Sequence, residues 1–338
     1  MRPYRLAAVA VFGVLAACGG RPLEQRIERH PAEALPLGAS QIFHVRVGTL
    51  RNNPLATLLY EQAHRLELGP SLKGTSQTIQ LLGGISRLVC GFYSADERSA
   101  SSAVALLSGT FDEAAFRKAL DSSGIPYVTG RQDNREFYTC GRGDARCYVS
   151  FSSRQLVVAA SQEGLLKRTL DLARGRAKSM TADRAFAPLL ADYSPDLDLW
   201  ATGHFPATLT AMLGPRLQGV LQAIQAFAIK VQSGEKSGLG LVLHCASGEA
   251  AQANASVLRD LLASLVQDLV DAGYEIPDLV RALNDSRIVL DGAKADFGIQ
   301  MSRAEVAATA GALRVTPKPP QVAPIPPAEI PPALLPLR

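Results

Sequence analysis

The sequence has few of the residues on which catalytic and metal sites depend. It contains five histidines and five cysteines in 338 residues. The nucleophile elbow Gly-x-Ser-x-Gly, the zinc motif His-Glu-x-x-His, the phosphate-binding loop and the dinucleotide-binding fingerprint are all missing. No cysteine pair combines a spacing of about two to four residues with the nearby histidines of a zinc cluster. We therefore predict a protein without metal, cofactor or catalytic residues.

An excess of charge of one sign is also lacking. The formal net charge is +4 at pH 7, and acidic and basic residues alternate along the chain without long runs. Binding to nucleic acid depends on a concentrated basic surface that offsets the phosphate charges. The sequence therefore gives no support for a nucleic acid partner.

Long hydrophobic runs are absent as well. The apolar run at residues 6–16 follows Arg2 and Arg5 and is about half as long as the ~20 residues that a membrane-spanning helix needs. A short basic region, a short apolar run and then small residues are typical of a secretory signal. We expect residues 1–17 to be a signal peptide that is removed.

The residues that follow the apolar run are Leu15-Ala16-Ala17-Cys18, which resemble the lipobox of bacterial lipoproteins. The resemblance implies that Cys18 carries acyl chains and that the membrane is a partner through those chains. Several acyl chains hold a protein stably at a bilayer. In that family an Asp after the cysteine often retains the protein in the inner membrane, and here the position is Gly19. The resemblance therefore favours the outer membrane, with exposure to the periplasm or to the cell surface left open.

Proline marks both ends of the remaining chain. Residues 18–38 form a polar stretch that we interpret as the lipidated cysteine followed by a flexible tether. Residues 316–338 contain nine of the 21 prolines. Such a segment forms neither a helix nor a central strand, so we expect a polyproline or disordered tail that could dock to an envelope protein.

Between these ends, similar predicted elements occur twice, at residues 39–192 and 193–315. Residues 103–115 resemble residues 239–251, and residues 148–166 resemble residues 288–306. We predict an α+β fold of two similar repeats of mainly antiparallel sheet with helices on one face. This pattern is similar to that of uncharacterised duplicated α+β envelope lipoproteins, a resemblance that implies no activity.

The cysteines beyond the lipobox suggest one crosslink. Cys140 and Cys147 flank a short polar loop between two strand-like segments, so we predict a disulfide-stapled hairpin in an oxidising compartment. Cys90 and Cys245 alternate with apolar residues. The pattern leaves open whether these two are bridged or are buried free thiols.

Polar and aromatic residues occur at the opening strand of each repeat. His44 shares a strand face with Arg46, and Asp198 shares one with Trp200. If the repeats stack alike, these four residues form a possible binding surface. The alternative is that Trp200 packs in the seam between the halves.

One motif resembles a catalytic pattern. Ser233-Gly234-Glu235-Lys236 has the Ser-x-x-Lys spacing of penicillin-binding enzymes, which must begin a helix. The two flanking strand-like segments predict a turn there instead. Our leading interpretation is a non-enzymatic envelope lipoprotein with a binding or scaffolding role. The alternatives are a carrier of an apolar ligand such as a lipid, suggested by the apolar residues 209–227, and a hydrolase with dispersed catalytic residues.

Overall fold

A computed structural model describes residues 22–50, 84–93, 102–143, 146–204 and 223–314 of the chain. The described residues form one antiparallel sheet with helices packed on it, which confirms the predicted α+β class. Among these residues, no helix has both the length and the apolar character needed to cross a bilayer. The bounds of the strands are β1 Gln41–Arg46, β2 Ile85–Tyr93, β3 Ser102–Gly109, β4 Tyr127–Gln132, β5 Arg135–Cys140, β6 Cys147–Ser153, β7 Leu156–Ala160, β8 Leu199–His204, β9 Ile224–Gln232, β10 Lys236–Cys245, β11 Arg287–Asp291 and β12 Lys294–Ser302.

The twelve strands follow the order β11-β12-β10-β9-β8-β1-β2-β3-β7-β6-β5-β4. The seam between the two halves is the antiparallel pair of β1 and β8, in which His44 lies opposite Trp200. Outward from this seam, the first half continues with β2 and then β3, and the second half with β9 and then β10. Beyond these strands, β7 pairs with β3 in the first half, and β12 pairs with β10 in the second half. The connections of the two halves therefore match, except that the first half has two additional edge strands.

The α-helices are α1 Leu23–Arg29, α2 Val47–Leu50, α3 Glu113–Ser123, α4 Glu163–Ala173, α5 Ala187–Leu190, α6 Gly248–Asp271, α7 Pro277–Asn284 and α8 Arg303–Arg314. Ser247 caps α6 by accepting from the Ala250 N–H at 3.1 Å. Asp112 caps α3 by accepting from the N–H groups of Ala114 and Ala115.

Short turns with positive φ connect the two strands of the hairpin at each edge of the sheet. Asp133 and Asn134 have positive φ and connect β4 to β5, as a two-residue hairpin turn requires. Gly292 has φ 56° and connects β11 to β12, in a left-handed conformation that glycine adopts at little cost.

The hairpin of β5 and β6 is present, but the predicted disulfide is not formed. Cys140 and Cys147 lie directly opposite each other, and both are buried free thiols. Burial raises the pKa of the Cys140 thiol to about 12, because an apolar environment disfavours the thiolate that oxidation requires. Backbone pairing and apolar packing close this hairpin instead. Cys90 and Cys245 are free thiols too.

The predicted flexible tether is wrong from residue 22 onward. Leu23 and Ile27 are buried on one side of α1, and the 3-10 helix Pro31–Ala34 follows it directly. Both elements belong to the largest apolar cluster, with Leu106 of β3 and Leu166 of α4. Residues 22–38 are therefore part of the folded body.

Helices cover both faces of the sheet, so the expectation of helices on one face is corrected. The face that carries Leu106 and Trp200, here called face A, packs against α1 and α4. On the opposite face, face B, the core contains Leu107 and Tyr138 with Phe116 of α3. Face B of the second half packs against α6, α7 and α8. The cause is visible in β3 and β7, whose residues are apolar at successive positions and need cover on both sides.

Several predictions lie outside the described residues. These are the signal peptide with Cys18, the proline-rich tail at residues 316–338, and most of the apolar residues 209–227. The last part of that apolar segment is described, and strand β9 begins there at Ile224.

Candidate functional site

The seam of the sheet brings together the four residues of the predicted binding surface. His44 and Trp200 are directly opposite each other in the β1–β8 pair. One step along the seam, the Arg46 N–H donates to the Asp198 carbonyl at 2.7 Å. Pairing of the two opening strands therefore places all four side chains on face A.

Aromatic rings surround His44 and Trp200. The Tyr193 ring lies 5.7 Å from His44 and 5.1 Å from Trp200, both in edge-on arrangements. His30, from the segment after α1, lies 4.6 Å from Tyr193 and 5.8 Å from Trp200. The N-terminal segment and the connection between the halves thus cover this part of the seam.

Burial corrects the interpretation of these residues as a surface. His44 and Trp200 have no exposed area, and Asp198 is 2% exposed. The alternative, that Trp200 packs in the seam, describes its position. Only Arg46 reaches solvent, with 36% of its side chain exposed. The residue that can meet a ligand is therefore Arg46.

His44 is held neutral in this environment. Burial lowers its pKa to about 4, and the charges of Arg87 and Arg46 act in the same direction. Within the described part of the chain, neither ring nitrogen has a hydrogen-bond partner, and the Trp200 indole nitrogen lacks one too. Unsatisfied buried polar atoms cost free energy, so this cluster is a locally unfavourable part of the core.

An open cleft of about 470 Å³ lies on face A next to this cluster. Its sheet side carries Arg46 and Arg87, which are paired in register on β1 and β2. Its other side carries Glu24 and Glu28 of α1, one helical turn apart. Hydroxyl, amide and glycine groups complete the lining: Gly48, Thr49, Ser86, Ser108, Gly109 and Gln155.

The charged groups of the cleft make few ion pairs or hydrogen bonds with other described residues. Arg87 and Glu28 have no ion pair or side-chain hydrogen bond to any described residue. Arg46 approaches Asp198 at only 4.0 Å, and the Asp198 carboxylate accepts from the Ser233 N–H at 2.5 Å. Glu24 accepts from the Ser153 hydroxyl at 2.7 Å. Two guanidinium groups on neighbouring strands can together bind a carboxylate or phosphate, and Glu28 can bind a cationic group opposite them.

Sequence reasoning identified Arg46 and missed the other charged residues of the cleft. Glu24 and Glu28 lie in the stretch that was interpreted as a tether. Arg87 lies near the start of β2, and the alternate residues Val89 and Gly91 lie on the same face. That alternation was the available signal, because a charged residue in phase with a buried face often marks its open end.

A second polar cluster lies on face A of the other half. The Asp192 carboxylate accepts from His244 at 2.9 Å and from Lys294 at 2.6 Å, and Lys230 lies 3.5 Å away. Burial alone would raise the pKa of Asp192, but the hydrogen bonds from His244 and Lys294 and the charge of Lys230 lower it well below its usual range. This network joins the connection between the halves to β9, β10 and β12, so its role is to hold the two together.

Two further chemical candidates are placed by the structure. Ser233 and Lys236 lie in and after the tight connection of β9 to β10, so the Ser-x-x-Lys motif does not begin a helix. Among the described residues, His, Cys, Asp and Glu side chains do not form any group of three that could hold a metal ion.

Comparisons with known proteins give a distant structural similarity. No protein family matches the chain, and none of the curated proteins matches it. Crystal form I of TP0453 is similar, with 12% identity, a TM-score of 0.47, and coverage of 84% of this chain and 96% of that chain. Crystal forms III and IV of TP0453 are 11% identical with TM-scores of 0.48, over 84% of this chain and 98% and 96% of theirs. At this level the similarity carries no argument about activity.

Proposed function

We propose that the protein is a membrane-anchored envelope lipoprotein with a non-enzymatic binding role. The anchor is acylated Cys18, and the outer membrane is its location. Support comes from the lipobox-like Leu15-Ala16-Ala17-Cys18 after a basic and apolar leader. Because folded residues are described from residue 22 onward, only a few residues separate the described body from the acyl chains. The body therefore lies close to the membrane surface.

The binding role is carried by one observation: Arg87, beside Arg46 in an open cleft, has no ion pair to any described residue. A ligand that binds such a side chain does not have to displace an internal ion-pair partner. Face A also supplies hydroxyl groups of Thr49, Ser86 and Ser108 at this cleft, which can hydrogen-bond a polar ligand. The ligand is accordingly a small polar molecule or peptide end with an anionic group for the arginines.

The alternatives have less support in this geometry. A carrier of an apolar ligand needs an apolar pocket, whereas the lining of this cleft is charged and polar. A hydrolase needs a nucleophile within hydrogen-bond reach of a base. The cleft lining has hydroxyl groups but no histidine.

The test uses Trp200, the only tryptophan of the chain, as a fluorescent reporter beside the cleft, with a thermal-shift measurement alongside it. The probes are inorganic phosphate, simple dicarboxylates and zwitterionic dipeptides. We expect saturable binding of at least one probe. Arg87→Gln should weaken that binding about 10-fold or more, because a charge-assisted hydrogen bond contributes about 1.5–3 kcal/mol.

Two variants sharpen this experiment. Arg131→Gln changes an exposed arginine on the distant strand β4 and should bind as the wild type does. Glu28→Gln should weaken only zwitterionic probes, which separates them from simple anions. No binding by any probe, or equal binding by wild type and Arg87→Gln, would contradict the proposed role of the cleft.

A further inference from the structure

The outer edge of strand β11 is open and apolar. β11 pairs only with β12 among the described strands. Val289 is 60% exposed and Leu290 is 47% exposed, although both are large apolar residues. Proteins usually shield such an edge because its free backbone groups can pair with another chain.

The hairpin turn fixes which backbone groups point outward. Asp291 and Lys294 flank a two-residue connection, and residues in that position exchange hydrogen bonds with each other. Antiparallel pairing alternates along a strand, so Val289 and Arg287 also bond inward to β12. The N–H and C=O groups of Ile288 and Leu290 are therefore the ones that point away from the sheet.

The sequence of β11 is complementary to itself in the antiparallel sense. In Arg287-Ile288-Val289-Leu290-Asp291, pairing about Val289 sets Arg287 against Asp291 of a second copy, and Ile288 against Leu290. Each charged end then meets the opposite charge, and Val289 meets its own equivalent. Ile288 and Leu290 would exchange four backbone hydrogen bonds across the two-fold axis. The outward backbone groups fall at the positions that this register requires.

The opposite edge of the sheet lacks this property. In β4, the equivalent antiparallel self-pairing about Gly130 would set Arg131 against Thr129 and the exposed Val128 against Gln132. An unmatched charge and an internal glycine both weaken strand pairing. The complementarity is therefore specific to β11.

Strand β11 is also ordered before any partner binds. The Ile288 side chain packs against the face B cluster that contains Ala251 and Ala255 of α6, and five residue pairs join β11 to β12. A partner strand would add to an edge that is already ordered, so little conformational entropy is lost on pairing.

We propose that β11 is a homodimer interface in which two copies of this chain pair antiparallel through Val289. The dimer joins the two sheets into one continuous sheet. Its short interface makes it a weak, concentration-dependent dimer rather than an obligate one, since stable interfaces bury about 1,200 Å² or more.

Charge reversal tests the proposal in the full chain. Sedimentation equilibrium over a range of concentrations should show a monomer–dimer equilibrium for the wild type. Arg287→Glu and Asp291→Lys should each weaken dimerisation at least several-fold, because each places like charges opposite one another. The double variant with both changes should restore it, and an equimolar mixture of the two single variants should form heterodimers.

A crosslink tests the register independently. Val289→Cys should give an intermolecular disulfide under mild oxidation, since directly opposite, non-hydrogen-bonded residues lie about 4.5 Å apart at their Cα atoms. Val128→Cys on the opposite edge is the matched control and should not crosslink. Circular dichroism and the melting temperature check that each variant is folded.

Three outcomes would overturn the proposal. The first is a wild-type chain that stays monomeric at every concentration. The second is a dimer that neither single charge reversal weakens, which would place the interface elsewhere. The third is a full chain that is monomeric while truncation after Val315 dimerises, which would make the proline-rich tail the occupant of the edge.

Discussion

His44 combines complete burial with two arginines on the same face of the sheet. Burial is the main reason that its pKa is lowered to about 4, and Arg87 and Arg46 add to the effect. The ordinary value is 6.5, so the unfolded chain binds a proton at this residue in a pH range where the folded chain does not. Stability from this group is therefore fully present above pH 6.5 and is lost as pH falls towards 4.

The first prediction follows from that difference. Wild-type protein should lose about 3 kcal/mol of unfolding free energy through His44 between pH 6.5 and 4, at about 1.36 kcal/mol per pKa unit. His44→Phe keeps an aromatic ring against Tyr193 and should lose clearly less over that range. Urea unfolding at several pH values measures both slopes. The pKa of His30 is also lowered, so a smaller slope remains in both proteins, and equal slopes would contradict the assignment.

The four described thiols allow a second prediction. Burial raises the pKa values of Cys90 and Cys140 to about 12, so almost no thiolate is present at neutral pH. We expect these cysteines to react with a thiol reagent only after denaturation. Mass mapping of native and denatured protein measures this. Rapid labelling of either residue in the native protein, or a mapped bond between Cys140 and Cys147, would disagree with the structure.

At the residue scale, strand periodicity indicates which residues share a face of the sheet, but not whether that face is buried. The alternation on β1 and β8 correctly placed His44, Arg46, Asp198 and Trp200 on one face. Whether that face is open depends on the segments that cross it, and these include Tyr193, far along the chain from β1. Burial of this kind is a tertiary property that strand periodicity does not contain.

At the element scale, the sequence predicted the hairpin of β5 and β6, whereas α1 was missed. In α1 the two buried residues, Leu23 and Ile27, are separated by charged residues. A helix of seven residues has too few apolar positions for its period to stand out. The flanking Pro22 and Pro31 then favoured a tether, although proline is equally common at helix starts.

A third prediction tests whether α1 belongs to the body. Ile27→Ala should lower the unfolding free energy by about 2–4 kcal/mol, because it removes buried methyl groups and leaves a cavity. Arg29→Ala, on the exposed side of the same helix, should change it by less than about 1 kcal/mol. Chemical denaturation compares the two. An equally small effect of both variants would indicate that this segment is a tether and not part of the folded body.

At the scale of the whole molecule, the sequence predicted the fold class but not the order of the strands. The order depends on pairing between distant segments, above all the β1–β8 seam. Nothing local in either strand specifies that partner. The two-sided helix cover follows from the same long-range packing, because apolar residues at successive positions of β3 and β7 require it.

The proposed lipid anchor at Cys18 lies a few residues before α1, which lines the polar cleft on face A. The cleft lies against α1, and α1 begins at Leu23, five residues after Cys18. Anchoring would therefore hold the cleft near the membrane surface. This arrangement depends on processing at Cys18.

The most direct test of the account is metabolic labelling with a tagged fatty acid in a bacterial host, comparing wild type with Cys18→Ser. We predict that the wild type carries the label, fractionates with membranes and lacks residues 1–17 by mass spectrometry. Cys18→Ser should carry no label and should be released from membranes or remain as uncleaved precursor. Cys245→Ser, which leaves the lipobox intact, should behave as the wild type does. Mature wild-type protein that retains residues 1–17, or a label that persists in Cys18→Ser, would contradict the central claim.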